Sequence, residues 1–191
     1  MADNTSKLDG ISILLGVSGG IAAYKAVALA STLTATGAKV RCVMTQNACQ
    51  LIGPKSFEAV TGQQVFTSLW NGPDYKPGHI SLSLDSDIVV VAPATANIIG
   101  KVASGICDDL LSTVLCACWS KPVLLAPAMN DNMWNNPAVQ KNVAILKEMG
   151  IRMTGPQKGR LACGTDGIGR MTEPDEILKE IEKIAAGLNL P

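Results

Sequence analysis

A strand, a helix and a second strand make up the first patterned part of this sequence. The apolar run over residues 11–17 predicts a buried strand, and apolar residues at helical spacing then predict a helix: Ala22, Ala26, Leu29 and Leu33. Gly37 stands where it would end that helix, and residues 40–44 predict the second strand. Two strands joined by one helix are typical of a βαβ unit, so the chain is expected to build a parallel sheet.

The rest of the chain continues this alternation. Strands are predicted over residues 87–91, 123–126 and, as the last one, 151–154; helices are predicted over 53–62, 98–103 and 108–118, between Pro137 and Gly150, and around Ile177, Ile181 and Ile184. Hydrophobic residues make up 47% of the chain and charged residues only 17%, which favours either a sheet buried on both faces or large subunit interfaces. The predicted fold is a single α/β domain over residues 1–191 with a polar tail over 1–9. Its core is a Rossmann-like (flavodoxin-like) parallel sheet with helices on both faces.

Charge and cysteine usage limit the classes of function. Sixteen basic and sixteen acidic residues cancel, so charge gives no argument for binding nucleic acid or an anionic membrane. No apolar run approaches the roughly 18 residues of a membrane span, and residues 1–9 lack a signal-peptide core. The six cysteines form no C-x-x-C pair and there is one histidine, so no metal site is expected. Reduced cysteines, the first five of them buried, predict a cytoplasmic protein.

A glycine-rich turn, Gly16-Val17-Ser18-Gly19-Gly20, joins the first strand to the first helix. Ser18 could cap that helix, and the glycines would let a phosphate approach backbone N–H groups at its positive end. The turn is not a complete G-x-G-x-x-G, and Thr45-Gln46-Asn47 stands where a dinucleotide site has an acidic residue. These residues favour a phosphate monoester such as that of FMN, while a turn that serves packing alone stays open.

Small and polar residues also follow two later strands. Residues 93–97, Pro-Ala-Thr-Ala-Asn, follow one of them, and their small side chains would let a flat aromatic ring approach the backbone. Residues 127–134 follow another and exceed the roughly two to six residues of a plain strand-to-helix connection. Ligands bind at such strand ends in parallel sheets, so this segment, with Asn130, predicts a ligand-contacting loop. Asp108 is the predicted N-cap of the helix over 108–118, with Asp109 in its first turn.

Two long irregular segments carry further candidates. A loop over residues 70–78 leads to His79, the single histidine, for which structural and catalytic roles are equally open. Residues 155–171 contain five glycines and predict a mobile flap rather than a linker. Cys163, in this flap, is the one cysteine outside an apolar run and therefore the best candidate for a reactive thiol.

Taken together and in this order, the motifs resemble those of the flavin-dependent cysteine decarboxylases. The resemblance runs from about residue 11 to residue 171. It includes the Gly-Val-Ser-Gly-Gly turn, His79, the segment over 93–97, Lys-Val-Ala-Ser-Gly-Ile-Cys-Asp over 101–108, the P-x-M-N-x-x-M-W motif over 127–134 and A-C-G-x-x-G-x-G-R-M over 162–171. One departure from the family pattern is Ile98, which follows Asn97 where threonine is common.

The resemblance implies roles for individual residues. Three would be catalytic: His79, which would reach a flavin bound mainly by a neighbouring subunit, Asn130, which would bind the substrate carboxylate, and Cys163, which would donate the final proton. The implied FMN-binding residues are Gly16, Ser18, Gly19, Thr45, Pro93, Ala94, Thr95, Ala96, Asn97, Ser104, Asp108 and Ala128. The implied substrate-binding residues are Asn130, Met133, Ala162, Cys163 and Arg170.

Within the family, the likeness is greatest to the enzymes of coenzyme A biosynthesis that decarboxylate 4′-phosphopantothenoylcysteine to 4′-phosphopantetheine through a thioaldehyde and an enethiolate. The alternatives are a peptidyl-cysteine decarboxylase, a flavin prenyltransferase and a non-catalytic regulatory flavoprotein; the flap cysteine argues against the first. The implied partners are further copies of the chain, in a homotrimer or a dodecamer of trimers, and phosphopantothenoylcysteine synthetase, fused or separate. No nucleic acid, membrane or metal is implied.

Overall fold

Five parallel strands form the central sheet of the protein. The computed structural model describes residues 7–70, 78–162 and 164–188. The strands are β1 (Ser12–Val17), β2 (Lys39–Met44), β3 (Ile88–Ala94), β4 (Val123–Pro127) and β5 (Arg152–Met153). Their order in the sheet is β2-β1-β3-β4-β5, and every neighbouring pair is parallel. This is the flavodoxin-like order, so the predicted fold class is confirmed.

The described ranges contain helices α1 (Ala23–Ala35), α2 (Gln46–Cys49), α3 (Pro54–Thr61), α4 (Gly78–Leu84), α5 (Ala96–Ala103), α6 (Leu110–Ala117), α7 (Asp131–Trp134), α8 (Pro137–Glu148) and α9 (Pro174–Ala185). Gly37 and Gly150, with φ of 81° and 83°, follow α1 and α8 as predicted. None of these helices combines the length and the hydropathy that crossing a lipid bilayer requires.

Each face of the sheet has its own apolar core. On one face Ile13 and Leu15 pack with α1, α3 and α9. On the other face Leu14 and Val89 pack with α4, α5, α6 and α8. All four strand residues are at most 1% exposed. Because helices cover both faces, the strands read in the sequence as continuous apolar runs, and the predicted placement of helices is confirmed.

Three segments predicted to be irregular contain ordered structure. The segment predicted as a flap contains two antiparallel strands, β6 (Gln157–Arg160) and β7 (Asp166–Arg170), so the strand predicted over 151–154 is not the last one. The loop over 127–134 ends in the short helix α7. In the tail predicted over 1–9, Leu8 is fully buried in the core. The hairpin strands are rich in glycine and charge, and Leu8 stands alone among polar residues, so neither has the apolar periodicity that sequence patterns rely on.

The cysteines do not all share the predicted burial. Cys42 and Cys118 are buried and Cys49 is half-buried, whereas Cys107 and Cys116 are exposed. The prediction is wrong for the last two because Cys116 lies on the open face of α6 and Cys107 lies in the loop before that helix. Burial raises the pKa of the Cys42 thiol to about 12, so this thiol stays protonated and unreactive at neutral pH.

Candidate active site

A cavity of about 1040 Å³ lies at the carboxyl ends of the strands. Its walls are the turns after β1, β2 and β3, the loop after β4 and the hairpin formed by β6 and β7, which we call the flap hairpin. Strand order reverses between β1 and β3, and ligands of open parallel sheets bind at this switch point. The volume stands at the upper end of the roughly 300–1,000 Å³ that is usual for ligand sites, so the cavity is large enough for a cofactor together with a substrate.

Ser18 joins the ends of β1 and β3. Its side chain is 2% exposed, and its Oγ donates a hydrogen bond to the carbonyl oxygen of Pro93 at 2.8 Å and accepts one from the N–H of Thr95 at 3.1 Å. The prediction that Ser18 caps α1 is wrong, since Ala22 occupies the N-cap position and no side chain caps that helix. Because the hydroxyl proton of Ser18 is engaged within the protein, Ser18 holds the two strand ends in register; its contact with a phosphate stays a prediction.

The turn after β1 has the form of an anion cradle. A Cβ on Gly19 would lie 2.3 Å from the Cβ of Asn47, so only glycine lets this turn approach the turn after β2. The backbone N–H groups of Gly19, Ile21 and Ala22 donate no hydrogen bond within the described ranges, and they precede α1, whose N-terminus carries positive partial charge. Three unused donors at a helix start are suited to bind phosphate oxygens.

Thr45 adds a hydroxyl group to this cradle. It lines the cavity, and its Oγ1 accepts a hydrogen bond from the N–H of Ala48 at 3.2 Å, which caps α2. An accepting oxygen keeps its own proton, so Thr45 can donate to a phosphate in a way that Ser18 does not. This arrangement agrees with the predicted preference for a phosphate monoester over a ribose diol.

The residues that follow β3 divide into two groups. Thr95, Ala96 and Asn97 line the cavity, whereas Pro93 and Ala94 belong to the buried strand itself and do not line it. The strand extends beyond the predicted end at residue 91 and includes Pro93, since residues 92–94 are all buried between the helix layers. Ile98 is 1% exposed in the apolar core, where a threonine hydroxyl would be buried.

Besides Pro93 and Ala94, three further predicted cofactor residues lie away from the cavity walls. Gly16 is a packing position, since a Cβ there would lie 2.5 Å from Cδ1 of Leu111. Ser104 is the C-cap of α5. Asp108 forms an ion pair with Lys101 instead of capping α6. These three residues are close in sequence to residues that line the cavity, but they do not line it themselves.

Asp109, which was predicted to lie in the first turn of α6, is its N-cap. The Asp109 carboxylate accepts from the N–H of Ser112 at 2.8 Å, and the Ser112 hydroxyl accepts from the N–H of Asp109. Lys101 Nζ lies 2.6 Å from both the Asp108 and the Asp109 carboxylates. Burial acts to lower the pKa of Lys101, but the hydrogen bonds and charges of the two carboxylates outweigh it and raise that pKa. Lys101 and Asp109 both line the cavity, yet their charges compensate each other.

Asn130 stands at the start of α7 on the cavity wall. Its Oδ1 accepts from the N–H of Asn132 at 2.9 Å, which caps the helix, and Ala128 and Met133 line the cavity beside it. The capping contact fixes the amide of Asn130 at the end of β4. Ala128, Asn130 and Met133 are thus brought together as predicted, although their roles toward a ligand stay predictions.

The flap hairpin docks on the loop after β4 through two glycines. The carbonyl oxygen of Gly169 accepts from the N–H of Met129 at 3.0 Å, and a Cβ on Gly169 would lie 2.0 Å from the carbonyl oxygen of Met129. A Cβ on Gly167 would lie 2.7 Å from Asp131. The glycine spacing in the flap is therefore required for close backbone approach, and it places Ala162 and Arg170 on the cavity wall.

Replacement of Gly169 by alanine is expected to loosen the flap hairpin without unfolding the domain. The added methyl group meets backbone that cannot yield, and overpacking of this kind costs about 1–3 kcal/mol. Trypsin should therefore cleave after Lys158 and Arg160 about tenfold faster or more than in the wild type. Gly53→Ala is the matched control, because a Cβ there meets nothing within 4 Å. Equal cleavage rates for both variants would show that docking does not depend on Gly169.

The other two catalytic candidates, His79 and Cys163, are not among the described residues that line the cavity. His79 is half-buried on α4 and is not among the residues that line the cavity of its own chain. Cys163 lies outside the described residues; its neighbours Ala162 and Gly164 line the cavity. Of the predicted loop over 70–78, residues 71–77 lie outside the described ranges as well.

Three basic residues of the cavity wall were missed by the sequence reasoning: Lys25, Lys101 and Arg160. Lys25 Nζ lies 2.6 Å from the Glu173 carboxylate, a pairing between residues far apart in sequence that no local pattern reveals. Arg160 could have been identified as a binding candidate, because it is a cation within the flap and stands three positions before Cys163 in the sequence.

Comparison with known proteins places these features in a family. The family model described as flavoprotein matches residues 1–186. The coenzyme A biosynthesis bifunctional protein CoaBC of Bacillus subtilis (strain 168) is 45% identical over 179 residues, which are 92% of this chain and 43% of that protein. The chain therefore spans less than half the length of this relative.

Two solved structures share the fold over more than nine tenths of this chain. One is a PPC decarboxylase mutant complexed with pantothenoylaminoethenethiol, with 36% sequence identity, a TM-score of 0.82 and coverage of 93% of this chain and 99% of that one. The other is the FMN-dependent cysteine decarboxylase SpaF, with 33% identity, a TM-score of 0.82 and coverage of 94% and 99%.

Proposed function

Because this chain belongs to the flavoprotein family, we propose that it is an FMN-dependent decarboxylase that converts 4′-phosphopantothenoylcysteine to 4′-phosphopantetheine. One observation carries this proposal: the turn after β1, the end of β3, the loop with Asn130 and the flap hairpin all line one cavity at the switch point of the sheet. Relatives that carry these names, a PPC decarboxylase and a CoaBC protein, support the choice of substrate.

The residues present fit FMN. Gly19 gives a phosphate room to approach, three unused N–H groups and the Thr45 hydroxyl offer donors, and no carboxylate of the turns after β1 and β2 lines the cavity to oppose a phosphate dianion. Beyond the cradle, Thr95, Ala96 and Ala128 offer short side chains against which a flat ring can lie. Gly19, Thr45 and Thr95 are accordingly the residues that we expect to hold the cofactor.

Two of the three proposed catalytic residues, Asn130 and Cys163, meet specific needs of the substrate. FMN, when bound, supplies an acceptor for the hydride on the carbon next to sulfur and returns it at the end. Asn130 orients the carboxylate so that its C–C bond can break, and loss of carbon dioxide leaves an enethiolate. Cys163 then donates a proton to the carbon that lost the carboxylate. The net reaction consumes one proton and releases carbon dioxide, with no net oxidation.

The purified protein is expected to be yellow and to release carbon dioxide from 4′-phosphopantothenoylcysteine. Mass spectrometry of the product and the visible spectrum of the protein test both statements. A peptide with a C-terminal cysteine is the control substrate, because the peptidyl-cysteine alternative predicts turnover of the peptide instead. Protein that stays colourless after incubation with FMN contradicts the proposal at its first step.

The proposed assembly is a homotrimer, or a dodecamer of trimers, in the cytoplasm. Support comes from apolar side chains exposed on and near α4: Ile80, Leu84 and Trp119 are 48%, 73% and 83% exposed. The α4 helix lies against α6 through the Ser83 hydroxyl, which donates to the carbonyl oxygen of Ala117 at 3.1 Å, so these side chains share one region of the surface. The bifunctional name of the CoaBC relative suggests a synthetase as partner, fused or separate.

A further inference from the structure

The basic residues of the cavity wall differ in whether their charge is compensated. Lys25 is paired with Glu173, and Lys101 with Asp108 and Asp109. Arg160 and Arg170, on the two strands of the flap hairpin, form no ion pair within residues 7–70, 78–162 and 164–188. Asp109 is the one acidic residue among those lining the cavity in these ranges, and it is already paired with Lys101. The flap hairpin therefore brings two uncompensated positive charges to the cavity.

Arg170 is held in place by neutral groups. Its Nη2 donates to Oε1 of Gln157 at 3.1 Å, and the amide of Gln157 donates in turn to Glu176. Gly159 lies beside the guanidinium, where a Cβ would come within 3.4 Å of Cζ. The Nε–H of Arg170 is buried and has no hydrogen-bond partner. A buried charged donor without an acceptor is costly, and a rotation of the Arg170 side chain toward the cavity that it lines would give this donor an anionic acceptor.

Arg160 is the second uncompensated cation. It stands at the end of β6 opposite Asp166 in the hairpin register, yet the two side chains form no ion pair. Its guanidinium therefore remains available to the cavity that it lines. A planar guanidinium fork binds phosphate oxygens in pairs, so two such groups match a phosphate dianion in both charge and geometry.

We propose that Arg160 and Arg170 bind the phosphate group of the substrate, an inference that rests on the proposed function. The cofactor phosphate has its own proposed cradle at the turn after β1, which contains neither arginine. The substrate carboxylate is a poor alternative, because it loses its charge as carbon dioxide forms. A guanidinium on that carboxylate would stabilise the substrate more than the transition state. The remote phosphate keeps its charge throughout, and its binding energy holds the reacting carbon in place.

The test compares 4′-phosphopantothenoylcysteine with pantothenoylcysteine, which lacks the phosphate. Arg160→Gln and Arg170→Gln should each lower kcat/KM about 10- to 100-fold for the phosphorylated substrate, mainly through KM. For the unphosphorylated substrate both variants should lower kcat/KM at least about tenfold less than for the phosphorylated one, and the FMN content should match that of the wild type. Lys158→Gln, which removes an exposed positive charge from β6 outside the cavity wall, is the matched control and should change neither substrate.

Several results would overturn the inference. An equal loss for both substrates would assign the arginines to the carboxylate, and loss of FMN would assign them to the cofactor. If Lys158→Gln lowers kcat/KM as much as the two arginine variants do, the effect is that of net positive charge and not of a phosphate contact.

Calorimetric binding of 4′-phosphopantothenate and pantothenate separates this inference from the proposed function. If the wild type decarboxylates neither substrate but binds the phosphorylated ligand through these arginines, the function fails and the phosphate site stands. If it binds neither ligand, the inference fails as well.

Discussion

Replacement of His79 by asparagine is expected to lower decarboxylation by about 10²–10⁴-fold, the usual contribution of a positioned acid–base group, and to leave bound FMN in place. His79 lies on α4 and is not among the residues that line the cavity of its own chain, so the residues proposed to hold FMN there are left intact. Flavin absorbance of the purified variant checks the second part of this expectation, and carbon dioxide release checks the first. Ser81→Ala, an exposed substitution on the same helix, is the control.

The location of His79 makes a sharper experiment possible. If His79 acts on the cavity of a neighbouring subunit, each active site takes Asn130 from one chain and His79 from another. His79→Asn and Asn130→Ala then damage a site through different chains. Co-produced as a mixture, the two variants should regain activity at about one quarter of the sites, since each site then draws its histidine and its asparagine independently from two chains. Mixed assemblies that stay as inactive as either parent would locate both residues in one chain and remove the shared site.

Much of the fold could be predicted because the strands of this sheet are buried on both faces. The runs over 11–17, 40–44 and 123–126 differ from β1, β2 and β4 by one residue at one end, since burial on both faces demands apolar residues throughout. The positions after these strands were also predictable, because parallel strands end at one edge and place Gly19, Thr45 and Asn130 there together.

The rest of the site depends on contacts that leave no local pattern. The flap hairpin is specified by the approach of Gly169 to Met129, forty positions apart, and its strands contain no apolar alternation. The choice of Asp109 over Asp108 as N-cap is decided by the reciprocal bond with Ser112, since Lys101 pairs with both carboxylates at the same distance. Two adjacent carboxylates look equivalent in a sequence, and only the fold distinguishes them.

Replacement of Cys163 by serine is expected to separate the two halves of the reaction. Carbon dioxide release needs the cofactor and Asn130 but no proton from Cys163, so it should still occur once per flavin. Further turnovers require dioxygen to re-oxidise the reduced flavin. A thiol has a pKa of about 8.5 and can donate a proton near neutral pH, whereas an alcohol is far less acidic. The enethiolate would then be released before the carbon that lost the carboxylate has received a proton. The released product should be lighter than 4′-phosphopantetheine by two hydrogen atoms, and mass spectrometry measures this difference directly.

The spectrum of the flavin gives an independent measure of the same block. In a single turnover without oxygen, the visible absorbance of the wild type should bleach and return, whereas that of Cys163→Ser should bleach and stay low, because the hydride is not returned to the product. Cys107→Ser makes the same substitution at an exposed thiol outside the cavity wall and should behave as the wild type. Complete conversion to 4′-phosphopantetheine by Cys163→Ser would assign the proton to another group. Ala162 and Gly164, the neighbours of Cys163 in sequence, line the cavity and carry no titratable side chain. The other group would therefore have to come from the rest of the wall, from solvent or from a neighbouring subunit.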